Sequence, residues 1–143
     1  MGSEMCIRDR DRAVWCDETA AAYRRARVPL PGFGHPLHKP DDPRSPRLFA
    51  LARDADAPGS AIDLLEQFGA AVDVAYGRHL TINATGAIAA LLLEIGVAPS
   101  IMRAIAVTSR AAGLTAHIAE DQRTRSGRRI WTLVENEFAY TGE

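Results

Sequence analysis

Apolar residues recur at intervals of three and four along most of the chain, a spacing that predicts helices packed on a core. Residues 17–27 begin with acidic side chains and end with arginines, as the helix dipole favours, and predict a first helix. Ser45, followed by a proline, predicts the cap of a second helix that runs to about Ala55. Ser60 predicts the cap of a third that ends near Gly77.

Two more helices are predicted in the second half of the chain. The first has one apolar face, and Gly96 after it predicts the C-cap. That face is formed by Ile88, Leu91, Leu92 and Ile95. Residues 98–120 are apolar nearly all round, which is typical of a helix enclosed by other helices. Residues 129–134 favour β-structure and predict an edge strand or an extended arm. Because all the other predicted elements are helices, the predicted fold class is all-α.

Residues 28–44 interrupt this helical pattern. They contain five prolines and two glycines, a density of helix breakers that predicts a long, shaped loop. The glycines Gly32 and Gly34 would let the backbone approach a ligand, and His35 can exchange a proton near neutral pH. Arg44 can hold a carboxylate with two hydrogen bonds. We therefore expect a functional loop over residues 29–44.

Composition narrows the class of protein. The 143 residues carry 17 Lys and Arg against 18 Asp and Glu, a net charge of −1 that argues against a nucleic-acid-binding protein. The longest apolar stretch, residues 87–93, is far shorter than a membrane-spanning helix, so no membrane partner is expected. Cys6 and Cys16 lack any metal-ligand spacing and predict free thiols in a reducing, cytoplasmic compartment, and no metal site is expected. Residues 1–10 show neither a signal peptide nor helical periodicity, and we interpret them as a non-native or artefactual start.

Three blocks of residues resemble the citrate synthase family, which includes citryl-CoA lyases and the citryl-CoA-cleaving module of ATP citrate lyase. The first is Gly32-Phe33-Gly34-His35 with Lys39 and Asp42-Pro43-Arg44, at the family's spacing. The second, Asn83-Ala84-Thr85-Gly86, is similar to the family's Asn-Val-Asp-Gly segment. The third, residues 109–117, is similar to its Ser-Arg-x-x-Gly helix. The sequence of residues 34–40 and the short, Ala- and Leu-rich second block resemble the small citryl-CoA lyase branch more than the standard citrate synthases.

This resemblance implies a set of site residues. His35 would form a hydrogen bond with the carbonyl or hydroxyl oxygen of oxaloacetate or citrate, and Arg44 and Arg110 would hold its carboxylates. The backbone around Pro31, Gly32, Phe33 and Gly34, with Lys39 nearby, would face coenzyme A. The resemblance implies coenzyme A or acetyl-CoA as co-substrate, no covalently bound cofactor, and a homodimeric full-length protein.

Two positions depart from the family. Thr85 stands where the family has the aspartate that transfers a proton at the acetyl-CoA methyl carbon, and a threonine hydroxyl has no useful pKa for that step. No His-Gly-Gly segment precedes residue 29. We therefore expect the C-terminal part of a longer enzyme, in which residues 11–97 form the small domain. Residues 98–143 would then form a helix returning to the large domain and a C-terminal arm.

The remaining basic residues leave alternatives open. His38 is either a solvated loop residue or a coenzyme A contact, His79 is expected at the surface, and His117 in a core or interface. A run of arginines is either a solvated tail or the source of a side chain that completes a neighbouring subunit's site. It consists of Arg123, Arg125, Arg128 and Arg129.

The resulting functional hypothesis is an enzyme that cleaves citryl-CoA to acetyl-CoA and oxaloacetate. The first alternative is a citrate synthase-type acyltransferase that runs the condensation instead. The second is a catalytically impaired homologue that keeps only coenzyme A or carboxylate binding, because Thr85 replaces the family's aspartate.

Overall fold

The structure, a computed structural model, describes residues 9–138 and within that range consists of helices joined by loops. The helices are α1 (Asp9–Ala26), α2 (Arg44–Asp54), α3 (Ser60–Tyr76), α4 (Ala84–Glu94), α5 (Pro99–Thr124) and α6 (Ser126–Glu137). The predicted all-α class is confirmed, and residues 28–43 form the predicted loop between α1 and α2. No described helix has the length and apolar character needed to cross a membrane.

The chain divides after residue 99 into two compact units. In the first unit α1 packs on α3, and α4 packs on both α2 and α3. One core cluster joins α2, α3 and α4 and contains Phe49, Ala52, Ile62, Ala87 and Ala90. The other joins α1 and α3 and contains Cys16, Ala20, Ala71 and Val72. The loop residue Phe33 packs against the second cluster, so the loop between α1 and α2 is anchored on the core.

Helix α1 begins before its predicted start, because apolar packing extends towards the N-terminus. Cys16 and Ala20 lie one turn apart on its buried face, and both contact the cluster that includes Val72 of α3. Burial raises the pKa of the Cys16 thiol, in keeping with the predicted unreactive free thiol. Cys6 lies outside the described residues.

The predicted caps of α2 and α3 are wrong. Ser45 lies inside the first turn of α2, where its hydroxyl donates to the carbonyl of Ile82 at 2.7 Å, and Pro43 is the N-cap. Ser60 makes no capping bond either. Instead the carboxylate of Glu94, at the end of α4, accepts the backbone N–H groups at the start of α3. The donors are Gly59, Ala61 and Ile62. A cap supplied from 33 residues away cannot be recognised by local spacing.

The predicted buried face of α4 is correct at Leu91, which packs against the first core cluster, but it is wrong at Ile88 and Ile95. Ile88 is 40% exposed and Ile95 is 72% exposed, whereas Gly86, Ala87 and Ala90 are buried. Small side chains on this face let the α4 backbone approach its neighbours closely. The helix ends as expected, because the C-cap Ile95 is followed by Gly96 in the left-handed conformation.

In the second unit, two sequence predictions need correction. None of the residues of α5 is buried among the described residues, so the predicted enclosure by other helices is not found there. Residues 129–134 are helical rather than an edge strand or arm, because they belong to α6. The start of α6 is fixed by Asp121, whose carboxylate accepts from the Gly127 N–H at 2.6 Å and the Ser126 hydroxyl at 3.0 Å. These bonds also lower the pKa of Asp121.

Candidate functional site

The first two sequence blocks lie side by side in the fold. Phe33 and Ile82 form an isolated antiparallel bridge. The Gly34 N–H donates to the carbonyl of Thr81 at 2.8 Å, and the Asn83 N–H donates to the carbonyl of Gly32 at 3.0 Å. The Asn83 side-chain amide adds a third bond, to the carbonyl of Gly34 at 3.0 Å. The loop before α2 is therefore joined to the segment that leads into α4.

His35 follows this bridge and is held in one orientation by its own loop. Its Nδ1 accepts the backbone N–H groups of Leu37 and His38 at 3.1 and 3.0 Å. Since Nδ1 is the acceptor, the neutral ring carries its proton on Nε2. The His38 ring lies against it, with ring centroids 4.3 Å apart. The half-buried His35 can thus present an Nε2–H donor, which is the group that the sequence hypothesis requires.

Arg44, the predicted carboxylate ligand, is fixed by the buried Asp42. Its Nε and Nη2 donate to the two carboxylate oxygens at 2.8 and 2.7 Å, and its backbone N–H donates to Oδ1 at 3.1 Å. Asp42 is fully buried, while the Arg44 side chain remains 52% exposed and its Nη1 takes no part in the pair. The guanidinium therefore has a fixed direction and keeps donors for an anionic ligand.

Asp42 connects the loop, α2 and α4, a role that sequence reasoning missed. Its carboxylate also accepts the N–H of Ala84 at 3.1 Å, and its own N–H donates to the Thr81 hydroxyl at 2.7 Å. The Arg44 guanidinium, together with the N–H groups of Arg44 and Ala84, holds the pKa of Asp42 well below its usual range. Nothing in the sequence near Asp42 indicates this role, because Thr81 and Ala84 lie about forty residues away along the chain.

Thr85 lies in the first turn of α4 and is exposed. Asn83 caps this helix, because its Oδ1 accepts the N–H groups of Thr85 and Gly86 at 3.0 and 3.2 Å. An asparagine immediately before an apolar run is a cap signal that the sequence analysis could have used. The backbone here is thus fully engaged, and Thr85 offers only its side chain to a ligand.

A pocket of about 310 Å³ opens beside Thr85. It lies among α1, α3, α4 and the loop, and its lining includes Pro31, Gly32 and Phe33 from the predicted coenzyme A segment. Lys39, the other member of that segment, is exposed in the loop. The first unit therefore brings together His35, Arg44, Thr85 and the predicted coenzyme A residues on two joined segments.

The other predicted residues have different surroundings. Arg110 is an exposed residue of α5 in the second unit. His117, predicted in a core or interface, is exposed on the same helix, with Nδ1 3.9 Å from a Glu120 carboxylate oxygen. Among the residues that the structure describes, no three side chains are grouped to hold a metal ion.

His79 lies at the surface as predicted, but it has two acidic partners. Its Nδ1 is 2.6 Å from Asp73 of α3, and its Nε2 is 2.9 Å from Asp41 of the loop. Hydrogen bonds to Asp73 and then Asp41 raise the pKa of His79. His79 therefore ties the loop that precedes Arg44 to α3.

Comparison with known families agrees with the resemblance found in the sequence blocks. The family model described as citrate synthase, C-terminal domain, matches residues 7–131. The chain belongs to the citrate synthase family. The match begins inside residues 1–10 and runs through the rest of the first unit into α6.

Among solved structures, this citrate synthase family member is similar to citryl-CoA lyase from Hydrogenobacter thermophilus. The two share 30% sequence identity over 74% of this chain, with a TM-score of 0.67. The aligned part spans 41% of the length of that lyase. A comparison with proteins of curated function finds no match.

Proposed function

We propose that this citrate synthase family member acts on the carbon–carbon bond between the methyl carbon of acetyl-CoA and the keto carbon of oxaloacetate, with citryl-CoA cleavage as the favoured direction. The observation that carries the proposal is the fixed orientation of both His35 and Arg44. His35 presents an Nε2–H donor from the loop, and Arg44, at the start of α2, presents a guanidinium held by Asp42, which is also bonded to α4. A cytoplasmic homodimer is the proposed form of the complete protein.

In the cleavage direction the hydroxyl of citryl-CoA becomes the ketone of oxaloacetate. The hydroxyl proton passes to water, the oxygen forms a carbonyl, and the breaking carbon–carbon bond leaves its electron pair as the enolate of acetyl-CoA. Negative charge develops on the oxygen before the bond breaks, and the Nε2–H of His35 would stabilise it. Arg44 would bind a carboxylate with the donors that Asp42 leaves free, and Arg110 would bind another. The Pro31–Gly34 backbone and Lys39 would bind coenzyme A.

The enolate must then take up a proton at carbon, and Thr85 is at the position of the residue that supplies it in the family. A threonine hydroxyl is too weak an acid to perform this step efficiently. This exposed threonine also favours the second candidate function, a homologue that binds coenzyme A or carboxylates without turnover. Citrate synthesis would use the same residues in reverse, followed by thioester hydrolysis.

The test is the rate of citryl-CoA cleavage by the unmodified chain and by Thr85→Asp. We expect the substitution to raise the rate by about 100-fold or more, the usual contribution of a positioned general acid or base. Thr108→Asp, on an exposed face of α5, is the matched control and should give no gain. No gain in Thr85→Asp, in a protein that still binds coenzyme A, would support the binding-only function instead.

A further inference from the structure

The pocket beside Thr85 has the size of a small-molecule site. Its volume of about 310 Å³ lies at the lower end of the range of about 300–1,000 Å³ found for ligand pockets. It belongs entirely to the first unit, between the loop and the facing sides of α3 and α4, with Trp15 of α1 at one wall. The walls from the two helices are Ala61, Leu64, Leu65, Phe68, Ala89 and Leu93.

The walls would accept an apolar group and reject a charged one. No lining residue carries a charge, and the polar side-chain groups of the lining are the Thr85 hydroxyl and the Trp15 indole N–H. Phe68 holds two of the aromatic walls in place, with its ring centroid 5.4 Å from that of Phe33 and 5.6 Å from that of Trp15. A carboxylate or phosphate placed here would lose its hydration without a compensating partner.

The pocket shares Thr85 with the proposed reaction site. Thr85 marks where the α-carbon of the acyl thioester would lie, and Pro31, Gly32 and Phe33 mark the coenzyme A segment. An acetyl group ends at the α-carbon and would leave the pocket beyond it unfilled. We propose that this pocket binds the alkyl chain of an acyl-CoA whose acyl group is longer than acetyl. The inference rests on the proposed function and extends its acyl substrate from acetyl-CoA to acyl-CoAs with a longer alkyl chain.

Calorimetric titration with coenzyme A, acetyl-CoA, butyryl-CoA and hexanoyl-CoA tests the proposal. Each additional buried methylene should raise the affinity about three- to fourfold, so hexanoyl-CoA should bind at least about tenfold more tightly than acetyl-CoA. Ala89→Phe would fill the pocket and should abolish this dependence on chain length while coenzyme A still binds. Ala70→Phe, at an exposed position of α3 outside the pocket, is the matched control and should keep it.

The outcomes separate the two proposals. If coenzyme A binds but hexanoyl-CoA binds no more tightly than acetyl-CoA, the acyl pocket is overturned and the proposed function stands. If neither coenzyme A nor any acyl-CoA binds, the proposed function fails, and the inference with it. The chain-length series in the unmodified protein decides the matter even where Ala89→Phe does not fold. If light scattering shows that Ala89→Phe dissociates a dimer and the chain-length dependence is absent, the pocket is an interface between copies and the proposal is overturned.

Discussion

Gly86 of α4 lies so close to Gly32 of the loop that a β-carbon on Gly86 would be only 2.7 Å from the carbonyl oxygen of Gly32. The α4 backbone thus touches the loop backbone directly, and Gly32 itself has a φ of +83°, which favours glycine. This contact, with the hydrogen bonds from Asn83, keeps the two motif segments together.

Gly86→Ala should therefore destabilise the first unit. The loop backbone must move to admit the methyl group, at a cost of about 1–3 kcal/mol in the free energy of unfolding. Denaturant unfolding measures the loss. Gly113→Ala, on α5, has no atom within 4 Å of the added carbon and should leave the stability of the first unit unchanged. Equal stability of Gly86→Ala and the unmodified chain would contradict the close contact.

Asp42→Asn should both destabilise the protein and release Arg44. The buried carboxylate loses charge-assisted bonds to Arg44 and Ala84, which should cost about 2 kcal/mol or more at pH 7. Asp63→Asn, at an exposed position of α3, is the control and should change stability little.

The loss in Asp42→Asn should also depend on pH. The native pKa of Asp42 lies below its unfolded value of about 3.9, so its stabilisation is complete above that pH and declines as the pH falls towards the native pKa. Unfolding experiments at pH 7 and pH 3 should therefore show a smaller difference between the variant and the unmodified chain at pH 3. A pH-independent difference would exclude the ionised pair as its cause.

Glu94→Ala removes the cap of α3. Three backbone N–H groups lose their acceptor, and we expect a loss of about 1–2 kcal/mol in the free energy of unfolding. Glu66→Ala is the matched control, because Glu66 makes only an exposed ion pair with Arg53 at 3.5 Å. Its removal should cost less than about 1 kcal/mol. Similar losses in both variants would count against the capping role.

His79→Gln should remove a pH dependence of stability. A raised native pKa means that the contribution of His79 is complete below its unfolded pKa of about 6.5 and is lost as the pH rises through the native value. The unmodified chain should thus exceed His79→Gln in melting temperature more at pH 6 than at pH 8.5. His117→Gln, on the exposed face of α5, should follow the unmodified profile. An unchanged profile in His79→Gln would show that Asp41 and Asp73 do not hold the ring in solution.

The sequence predicted the elements of this fold better than the contacts between them. Helix α1 followed from its acidic start and arginine-rich end, and α2 to α5 followed from apolar spacing and breakers. The order of the three blocks identified the family. The cap that Glu94 supplies to α3 and the bond between Asp42 and the Ala84 N–H could not be predicted, since they join groups 33 and 42 residues apart. The buried face of α4 was misassigned because close backbone packing selects Gly86 and Ala90 over the larger Ile88.

For the candidate site, the sequence predicted His35, Arg44 and Thr85 but not the hydrogen bonds that orient His35 and Arg44. The proton position on His35 depends on two N–H groups that follow it in a tight turn, and the direction of Arg44 depends on a carboxylate two residues earlier. Residues 129–134 were misassigned because β-propensity is outweighed when Asp121 fixes the start of a helix.

Calorimetric titration of oxaloacetate in the presence of coenzyme A, comparing His35→Asn with the unmodified chain, tests the proposed site most directly. The asparagine oxygen can take the place of Nδ1 and accept from Leu37 and His38, so the turn should persist while the Nε2–H donor is lost. We expect an unchanged melting temperature and about a two- to tenfold loss of oxaloacetate affinity, the value of one hydrogen bond between neutral groups. Equal affinities in two folded proteins would contradict the role of His35 and the function built on it.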